Sequence, residues 1–203
     1  MREIDTKQVL LEEGLKALLI SGYDGVSIGP VLAAAGVPKG SFYHFFQSKD
    51  HFVRTVLKTY AARYARLRDL ILADRTKPPL LRLRSYFDKL EQELASEVPL
   101  GGCLYGVLAQ TMATRSKALR EQLVQSFQAW EESLFLVLQQ AQKTGDLSPE
   151  LDARAAAAFL IDAYEGALIR MKSDGVTAAF DRFKAFALEP LLAHKARARA
   201  ARK

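Results

Sequence analysis

Residues 27–50, SIGPVLAAAGVPKGSFYHFFQSKD, constrain the fold of this chain more than any other stretch. Ser27 is a favourable N-cap residue, and apolar residues then recur at helical spacing up to Gly36, which suits the left-handed conformation that ends a helix. Pro38 has the backbone geometry of the first turn of a new helix. The stretch therefore predicts two short helices joined by a tight turn, followed by a third helix that Ser48 caps.

The second short helix has an apolar side and a polar side. Phe42, Phe45 and Phe46 lie three and four residues apart and are predicted to face the core. Lysine, serine, tyrosine and histidine side chains are left to face outward. Two helices joined by a glycine-containing turn, with hydrogen-bond donors and a flat ring on the second, have the helix-turn-helix geometry. In that geometry the second helix enters the major groove of DNA.

These residues resemble the amino-terminal signature of the TetR family of transcriptional repressors. The resemblance rests on Ser27, on residues 35–37, 39–46 and 48–50, and on residues 21–25 at the end of the preceding helix. It covers about the first quarter of the chain. One departure is Leu32, where many members carry a small residue, and we expect it to change packing and not groove contact. The resemblance implies a homodimeric repressor that binds double-stranded DNA at a near-palindromic operator.

The residues predicted to contact DNA lie in or beside the two short helices. They are Ser27, Lys39, Gly40, Ser41, Tyr43, His44 and Lys49. An ordinary helical hairpin with a solvated polar face is the alternative for this stretch. An exposed tyrosine beside lysine and serine suits contacts with phosphates and thymine methyl groups, which favours DNA binding.

The net charge of +6 is not by itself evidence for DNA binding. Residues 1–54 carry 6 basic and 6 acidic side chains, whereas residues 195–203 carry 5 basic and no acidic ones. DNA affinity must therefore come from the placement of Lys39, Lys49, Arg54 and the helix N-termini. The basic tail is interpreted as a frayed or solubilising end, with an accessory nucleic-acid arm as the alternative.

Composition bounds the class of protein. A chain of 203 residues that is 49% hydrophobic and 26% charged can bury a sizeable core. Acidic residues near the N-terminus and the lack of a long apolar run predict neither a signal peptide nor a membrane span, and hence a cytoplasmic protein. A single cysteine excludes an intramolecular disulfide and a multi-cysteine metal site.

The sequence contains no HExxH, GxSxG or Gly-rich phosphate-loop motif. We therefore predict no enzymatic activity, no metal and no cofactor. The alternative from another functional class is a helical small-molecule-binding protein or enzyme in which the helix-turn-helix is incidental.

The predicted fold is all-α. A helix-turn-helix domain is predicted at residues 1–50, a ligand-binding and dimerisation domain at 51–194 and a basic tail at 195–203. A long helix from Ser48 to about Leu72 is predicted to connect the two domains and to act as a lever between them.

Two terminal helices are predicted, one opening at Ser148 and one from about Thr177 to Leu192. The first has a face of small residues and the second a row of phenylalanines. Such faces suit either the core of one subunit or a four-helix dimer interface. The family resemblance implies the dimer.

The resemblance also implies a small-molecule pocket in the larger domain. The candidate lining residues are aromatic or contain sulfur, and they are Tyr60, Tyr64, Phe87, Cys103, Tyr105, Trp130 and Tyr164. Ordinary helical core is the better interpretation for most of them individually. Because an interior tyrosine or tryptophan needs a partner for its polar tip, Tyr105, Trp130 and Tyr164 are stronger pocket candidates than the phenylalanine.

Gly101-Gly102-Cys103-Leu104 resembles the Gly-Cys-Leu segment of a TetR subgroup that includes a repressor responding to N-ethylmaleimide and other electrophiles. Relatives with this segment also include proteins whose ligands are small acids or unknown, and the electrophile sensor carries further cysteines that this chain lacks. Glycines favour a helix entry, so Cys103 is predicted in a first turn, where free N–H groups favour the reactive thiolate.

Two interpretations of Cys103 remain open from the sequence. In one, an electrophile is sensed covalently at the sulfur. In the other, Cys103 is a small buried residue chosen for fit, and a non-covalent inducer binds among the aromatic candidates.

Overall fold

The computed structural model describes residues 6–96 and 101–193, and this part of the chain contains helices and no strands. The predicted basic tail at 195–203 lies outside these residues. In chain order the helices are α1 (Thr6–Gly25), α2 (Ile28–Ala35), α3 (Lys39–Phe45), α4 (Lys49–Leu72), α5 (Pro79–Ser96), α6 (Leu104–Met112), α7 (Lys117–Lys143), α8 (Ala153–Asp174), α9 (Ala178–Phe183) and α10 (Glu189–Leu192). The all-α prediction is confirmed.

The described residues form two compact units. The first unit comprises residues 6–64 and 103–126, which include α1 to α3, most of α4, α6 and the start of α7. The second unit comprises residues 65–96, 101–102 and 127–193. The helices predicted to form the DNA-binding domain therefore share a compact unit with α6. The functional boundary at residue 50 stays a prediction.

An aromatic cluster forms the centre of the first unit. The rings of Phe42, Phe46 and Phe52 are fully buried, and their centroids lie 4.9–5.3 Å apart. Gly14 on α1 lets α4 approach closely, because a Cβ built there would lie 2.2 Å from Cζ of Phe52. Phe42 and Phe46 are core residues as predicted, whereas Phe45 is half-buried.

The C-terminal end of α1 packs against α6. Gly22 interrupts the helical backbone with φ 65° and ψ −173°, and a Cβ built there would lie 3.5 Å from Cγ2 of Thr111. Beyond this kink, Nη1 of Arg115 lies 2.6 Å from Oδ2 of Asp24. Hydrogen bonding to Arg115 lowers the pKa of Asp24 from its ordinary value of 3.8. The contact with α6 thus lies at the end of α1 that precedes the helix-turn-helix.

The predicted start of α8, with its cap at Ser148, is wrong by four residues. The helix begins at Ala153, and the side chain of Asp152 caps it by accepting hydrogen bonds of 3.0 Å from the backbone N–H groups of Arg154 and Ala155. The carbonyl of Ser148 accepts a hydrogen bond of 2.9 Å from Nε2 of Gln142. This carbonyl is satisfied outside a helix, and the carboxylate of Asp152 provides the stronger cap.

The last predicted helix is not a uniform α-helix. A π-helical turn at Lys184–Leu188 separates α9 from α10. It ends two residues before Pro190, whose missing N–H removes a backbone hydrogen bond from the regular ladder. Phe183 is buried in the core of the second unit, whereas Phe186 is 80% exposed.

Candidate functional site

The turn between α2 and α3 holds the two helices through backbone contacts. Gly36 is left-handed at φ 65° and ψ 30° and donates a 3.2 Å hydrogen bond to the carbonyl of Ala33. The N–H of Val37 donates to the carbonyl of Leu32 at 3.0 Å. Pro38 occupies the N-cap of α3, one position earlier than the predicted first turn. The two helices and the glycine turn predicted from the sequence are present.

One face of α3 is open to solvent. Tyr43 is 58% exposed, and Lys39, Gly40 and His44 are exposed as well, whereas Ser41 is half-buried. The ring of Tyr43 packs edge to face on buried Phe42, with centroids 5.4 Å apart. The fold thus holds a flat ring with a hydroxyl outward beside a cation, and this combination can contact base edges and phosphates.

The other two predicted DNA contacts flank this face. Ser27 is exposed at the N-cap of α2, and its hydroxyl makes no capping hydrogen bond. Nζ of Lys49, at the start of α4, lies 4.5 Å from the ring centroid of Tyr23, which is a cation–π contact. Burial and the nearby charge of Asp50 raise the pKa of Tyr23. Tyr23 therefore positions Lys49, a role that the sequence analysis did not assign to it.

Four of the seven predicted ligand residues come together in the first unit. Cys103 is 7% exposed and occupies the N-cap of α6, one position before the predicted first turn. The hydroxyl of Tyr60 donates a 3.5 Å hydrogen bond to Sγ of Cys103. The ring of Tyr60 packs against Tyr64 at 4.5 Å and against Tyr105 at 5.2 Å between centroids. We call these four residues the sulfur cluster.

The other three predicted ligand residues lie in the second unit. The ring of Tyr164 lies 5.9 Å from that of Phe87 and 5.6 Å from that of Trp130, and all three side chains are buried. Phe180 and Phe183 pack against the same tyrosine at 5.9 and 5.8 Å. This density of ring contacts is typical of a helical core and agrees with the interpretation of these residues as core.

A buried cation near the end of α4 was missed by the sequence analysis. Arg68 is only 5% exposed, and its Nε has no hydrogen-bond acceptor among the described residues. It follows Tyr60 and Tyr64 at intervals of four residues, so it lies on the same side of α4. That spacing was the available signal, because an arginine that continues an apolar stripe faces the interior.

Within residues 6–96 and 101–193, no group of three or more His, Cys, Asp or Glu side chains could hold a metal ion. The same residues include no helix that is both long and apolar enough to span a bilayer.

Two family models match the chain. The model described as "Bacterial regulatory proteins, tetR family" matches residues 10–56, and the model described as "Tetracyclin repressor-like, C-terminal domain" matches residues 79–187. The first match covers the helix-turn-helix described above. The second covers more than half of the chain.

Curated relatives agree with these matches. The HTH-type transcriptional repressor DhaR of Mycobacterium sp. (strain GP1) is 32% identical over 95% of both chains. The transcriptional regulator AcuR of Cereibacter sphaeroides is 35% identical over 81% of this chain and 75% of its own. The HTH-type transcriptional repressor NemR of Escherichia coli (strain K12) is 32% identical over 58% of this chain and 59% of its own.

Solved structures show the same fold. A crystal structure of regulatory protein TetR from Rhodobacter sphaeroides superposes with a TM-score of 0.85 at 32% identity, covering 90% of this chain and 96% of that one. The agreement therefore extends from the helix-turn-helix through the C-terminal helices. On these findings the chain belongs to the TetR family of helix-turn-helix transcriptional regulators.

Proposed function

We propose that the protein is a cytoplasmic, homodimeric repressor that binds a near-palindromic operator through Tyr43, Lys39 and their neighbours on α3. The exposed, anchored ring of Tyr43 supports this proposal. A two-fold dimer presents two copies of α3, so the half-sites are expected one helical turn or a multiple apart, roughly 34–36 Å per turn. Salt-sensitive binding to promoter DNA next to its own gene tests this part, because an enzyme with an incidental helix-turn-helix would lack it.

Exposed apolar side chains in the second unit support the dimer. Phe159 and Ile169 on α8 are 56% and 49% exposed, and Phe186 is 80% exposed. Phe159, Gly166 and Ile169 lie along one side of α8, where the small glycine allows another helix to approach. Phe180 and Phe183 belong to the subunit core, so only part of the predicted phenylalanine row is available to a second copy of the chain.

Charged substitutions test this interface. Phe159→Glu with Ile169→Glu is expected to give a monomer in light scattering and to weaken operator binding at the same time. Leu70→Glu is the matched control, because Leu70 on α4 is 75% exposed and lies outside the proposed interface. A double variant that stays dimeric would place the interface elsewhere.

We propose further that an electrophile acts at Cys103 to release the operator. The observation that carries this proposal is the hydrogen bond from the Tyr60 hydroxyl to Sγ, at the sulfur that precedes the first turn of α6. Hydrogen-bond donors and a helix N-terminus both stabilise thiolate, which is the nucleophilic form. Gly102 directly precedes the cysteine, and apart from its chain neighbours no atom lies within 4 Å of a Cβ built there.

A route from the sulfur to the reading helices lies within the first unit. Cys103 begins the segment that contains α6, and this segment contacts the end of α1 through Thr111 on α6 and Arg115 in the turn after it. On α7, Nε2 of Gln122 donates a 3.1 Å hydrogen bond to the carbonyl of Arg54 on α4. Displacement of α6 by an adduct would therefore act on α1 directly, in addition to the lever action expected of α4.

The test compares operator release by the wild type and by Cys103→Ser after treatment with a maleimide. Because Cys103 is the single cysteine, one added maleimide mass reports modification at that site alone. We expect release only from the wild type, with both proteins still folded in a melting curve. Equal release from both proteins would rule out covalent sensing at Cys103 and favour a non-covalent inducer.

Arg68 supports a second candidate, a non-covalent inducer with a carboxylate. The residues that the structure describes provide no anionic partner for this guanidinium, and a bound carboxylate would offset the cost of burying its charge. Arg68→Gln should abolish operator release by small monocarboxylic acids, and the corresponding amides should be inactive on the wild type. Arg66→Gln, two residues earlier and exposed, is the control. Retained release from Arg68→Gln would exclude this role.

A further inference from the structure

A basic cavity lies in the first unit and shares no lining residue with the sulfur cluster. Its volume is about 470 Å³, and it is lined by Lys7, His51, Arg54, Thr55, Lys58 and Gln122. These residues come from the first turns of α1, from α4 and from α7. Arg54 is the one lining residue that the sequence already suggested for phosphate contact, and none of the six lies on α3.

The lining carries positive charge and no carboxylate. Lys7, Arg54 and Lys58 supply three cationic side chains, and His51 adds an imidazole. Arg54 and Lys58 are exposed, and their side chains form no ion pair or hydrogen bond with the residues that the structure describes. As like charges four residues apart on one helix they repel each other, which an anion between them would relieve.

Many other basic side chains of this molecule are placed differently. Lys77 lies 3.2 Å from Asp74, Arg84 2.7 Å from Glu189 and Lys184 2.7 Å from Glu91. Against this background, Arg54 and Lys58, which have no acidic partner among the described residues, point to an anion from outside the chain.

The neutral groups of the cavity are fixed by hydrogen bonds. Nδ1 of His51 accepts a 3.2 Å hydrogen bond from the backbone N–H of Gln47, so the proton of the neutral ring is on Nε2, which is then a donor. The hydroxyl of Thr55 donates to the carbonyl of His51 at 2.7 Å, and Gln122 donates to the carbonyl of Arg54 at 3.1 Å. The walls of the cavity are thereby held in place before a ligand arrives.

We propose that this basic cavity is a phosphate-binding site. Several cations around one concave surface suit a phosphate, whose oxygens accept several charge-assisted hydrogen bonds at once. Two sources share this chemistry: the backbone of operator DNA beside the base contacts of α3, and a free phosphorylated small molecule. The DNA source rests on the proposed repressor function, whereas the free-phosphate source does not.

The test uses the double variant Arg54→Gln with Lys58→Gln. The control, Arg75→Gln with Lys77→Gln, removes the same charge from exposed positions between α4 and α5. Operator affinity of the dimer is measured across a series of KCl concentrations. Removing one cation–phosphate interaction should reduce the slope of log K against log salt by about 0.9, so the double variant should show a slope smaller by about 1 to 2 than that of the control. Separately, inorganic pyrophosphate is titrated into the free proteins by calorimetry.

The outcomes separate the two sources. A smaller salt slope in the double variant alone assigns the site to the DNA backbone. An unchanged slope, with pyrophosphate bound by the wild type and the control but not by the double variant, assigns it to a free phosphorylated ligand. An unchanged slope and no difference in pyrophosphate binding would overturn the proposal. Failure of the wild type to bind any operator would contradict the repressor function, and the pyrophosphate titration would still test the cavity.

Discussion

The first unit holds tyrosines in two opposite settings. Tyr43 on α3 is 58% exposed and its ring is anchored on buried Phe42, whereas Tyr60 on α4 is 8% exposed and its hydroxyl donates to Cys103. The first ring is available to another molecule and the second is enclosed by its own chain. The proposed DNA reading thus lies on the surface and the proposed sensing in the interior of one compact unit.

Truncating Phe42, the buried ring on which Tyr43 packs, should give the largest effect on stability. Phe42→Ala removes a fully buried ring from the aromatic cluster and is expected to cost about 3–5 kcal/mol of the free energy of unfolding. Thermal melting measures this effect, and operator binding should disappear with the fold. A variant that melts like the wild type would show that the cluster does not hold the first unit together.

Truncating the exposed tyrosine should leave the fold intact and weaken the reading of DNA. Tyr43→Ala is expected to reduce operator affinity by about 1–3 kcal/mol for each base edge that the tyrosine recognises. The melting curve should not move, since the ring is largely in solvent. Normal operator affinity with an unchanged melting curve would contradict the assignment of this face to DNA.

Removing the buried hydroxyl should have a smaller effect on stability and a specific effect on the cysteine. Tyr60→Phe deletes the donor to Sγ of Cys103 and is expected to cost about 0.5–1.5 kcal/mol. The rate of maleimide addition should fall, because the thiolate is then without this hydrogen bond. Tyr43→Phe is the control and should react like the wild type. Equal rates for all three proteins would show that the Tyr60 hydroxyl does not affect the reactivity of Cys103.

The ion pair between Asp24 on α1 and Arg115, in the turn after α6, should give the smallest change. The lowered pKa of Asp24 means that its contribution to stability is present above the ordinary value of 3.8 and is lost as the pH falls through the folded-state pKa. In Asp24→Asn, the free energy of unfolding should therefore fall slightly less steeply as the pH is lowered. If the ion pair also transmits the effect of modifying Cys103, Asp24→Asn protein alkylated at this cysteine should keep more operator DNA bound than alkylated wild-type protein.

The sequence predicted the features of the fold that depend only on neighbouring residues. Gly36 and the apolar spacing around Phe42 predicted the helix-turn-helix because turn chemistry and periodicity depend on near neighbours. The start of α8 was misplaced because Ser148 is a good local cap, and only the folded chain brings Gln142 to its carbonyl. Ser148 and Asp152 are both good local caps, so local rules alone did not choose between them.

Only the part of the candidate site that depends on local spacing could be predicted from the sequence. Tyr43 followed from helical periodicity, and its exposure agrees with that expectation. The hydrogen bond between Tyr60 and Cys103 joins residues 43 positions apart, and another joins Asp24 on α1 to Arg115 in the turn after α6. No spacing rule connects such distant segments, so the placement of the sulfur in the same unit as the reading helices had to come from the structure.

The central claim is that a change at Cys103 reaches the reading helices through α6 and α1. Hydrogen–deuterium exchange of the free protein, measured by mass spectrometry before and after one maleimide is added, tests it most directly, with Cys103→Ser treated in parallel. We predict faster exchange in peptides of α6, α1 and α3 in the modified wild type and no change in Cys103→Ser. Operator release without any change in α1, or a change confined to the second unit, would contradict the claim.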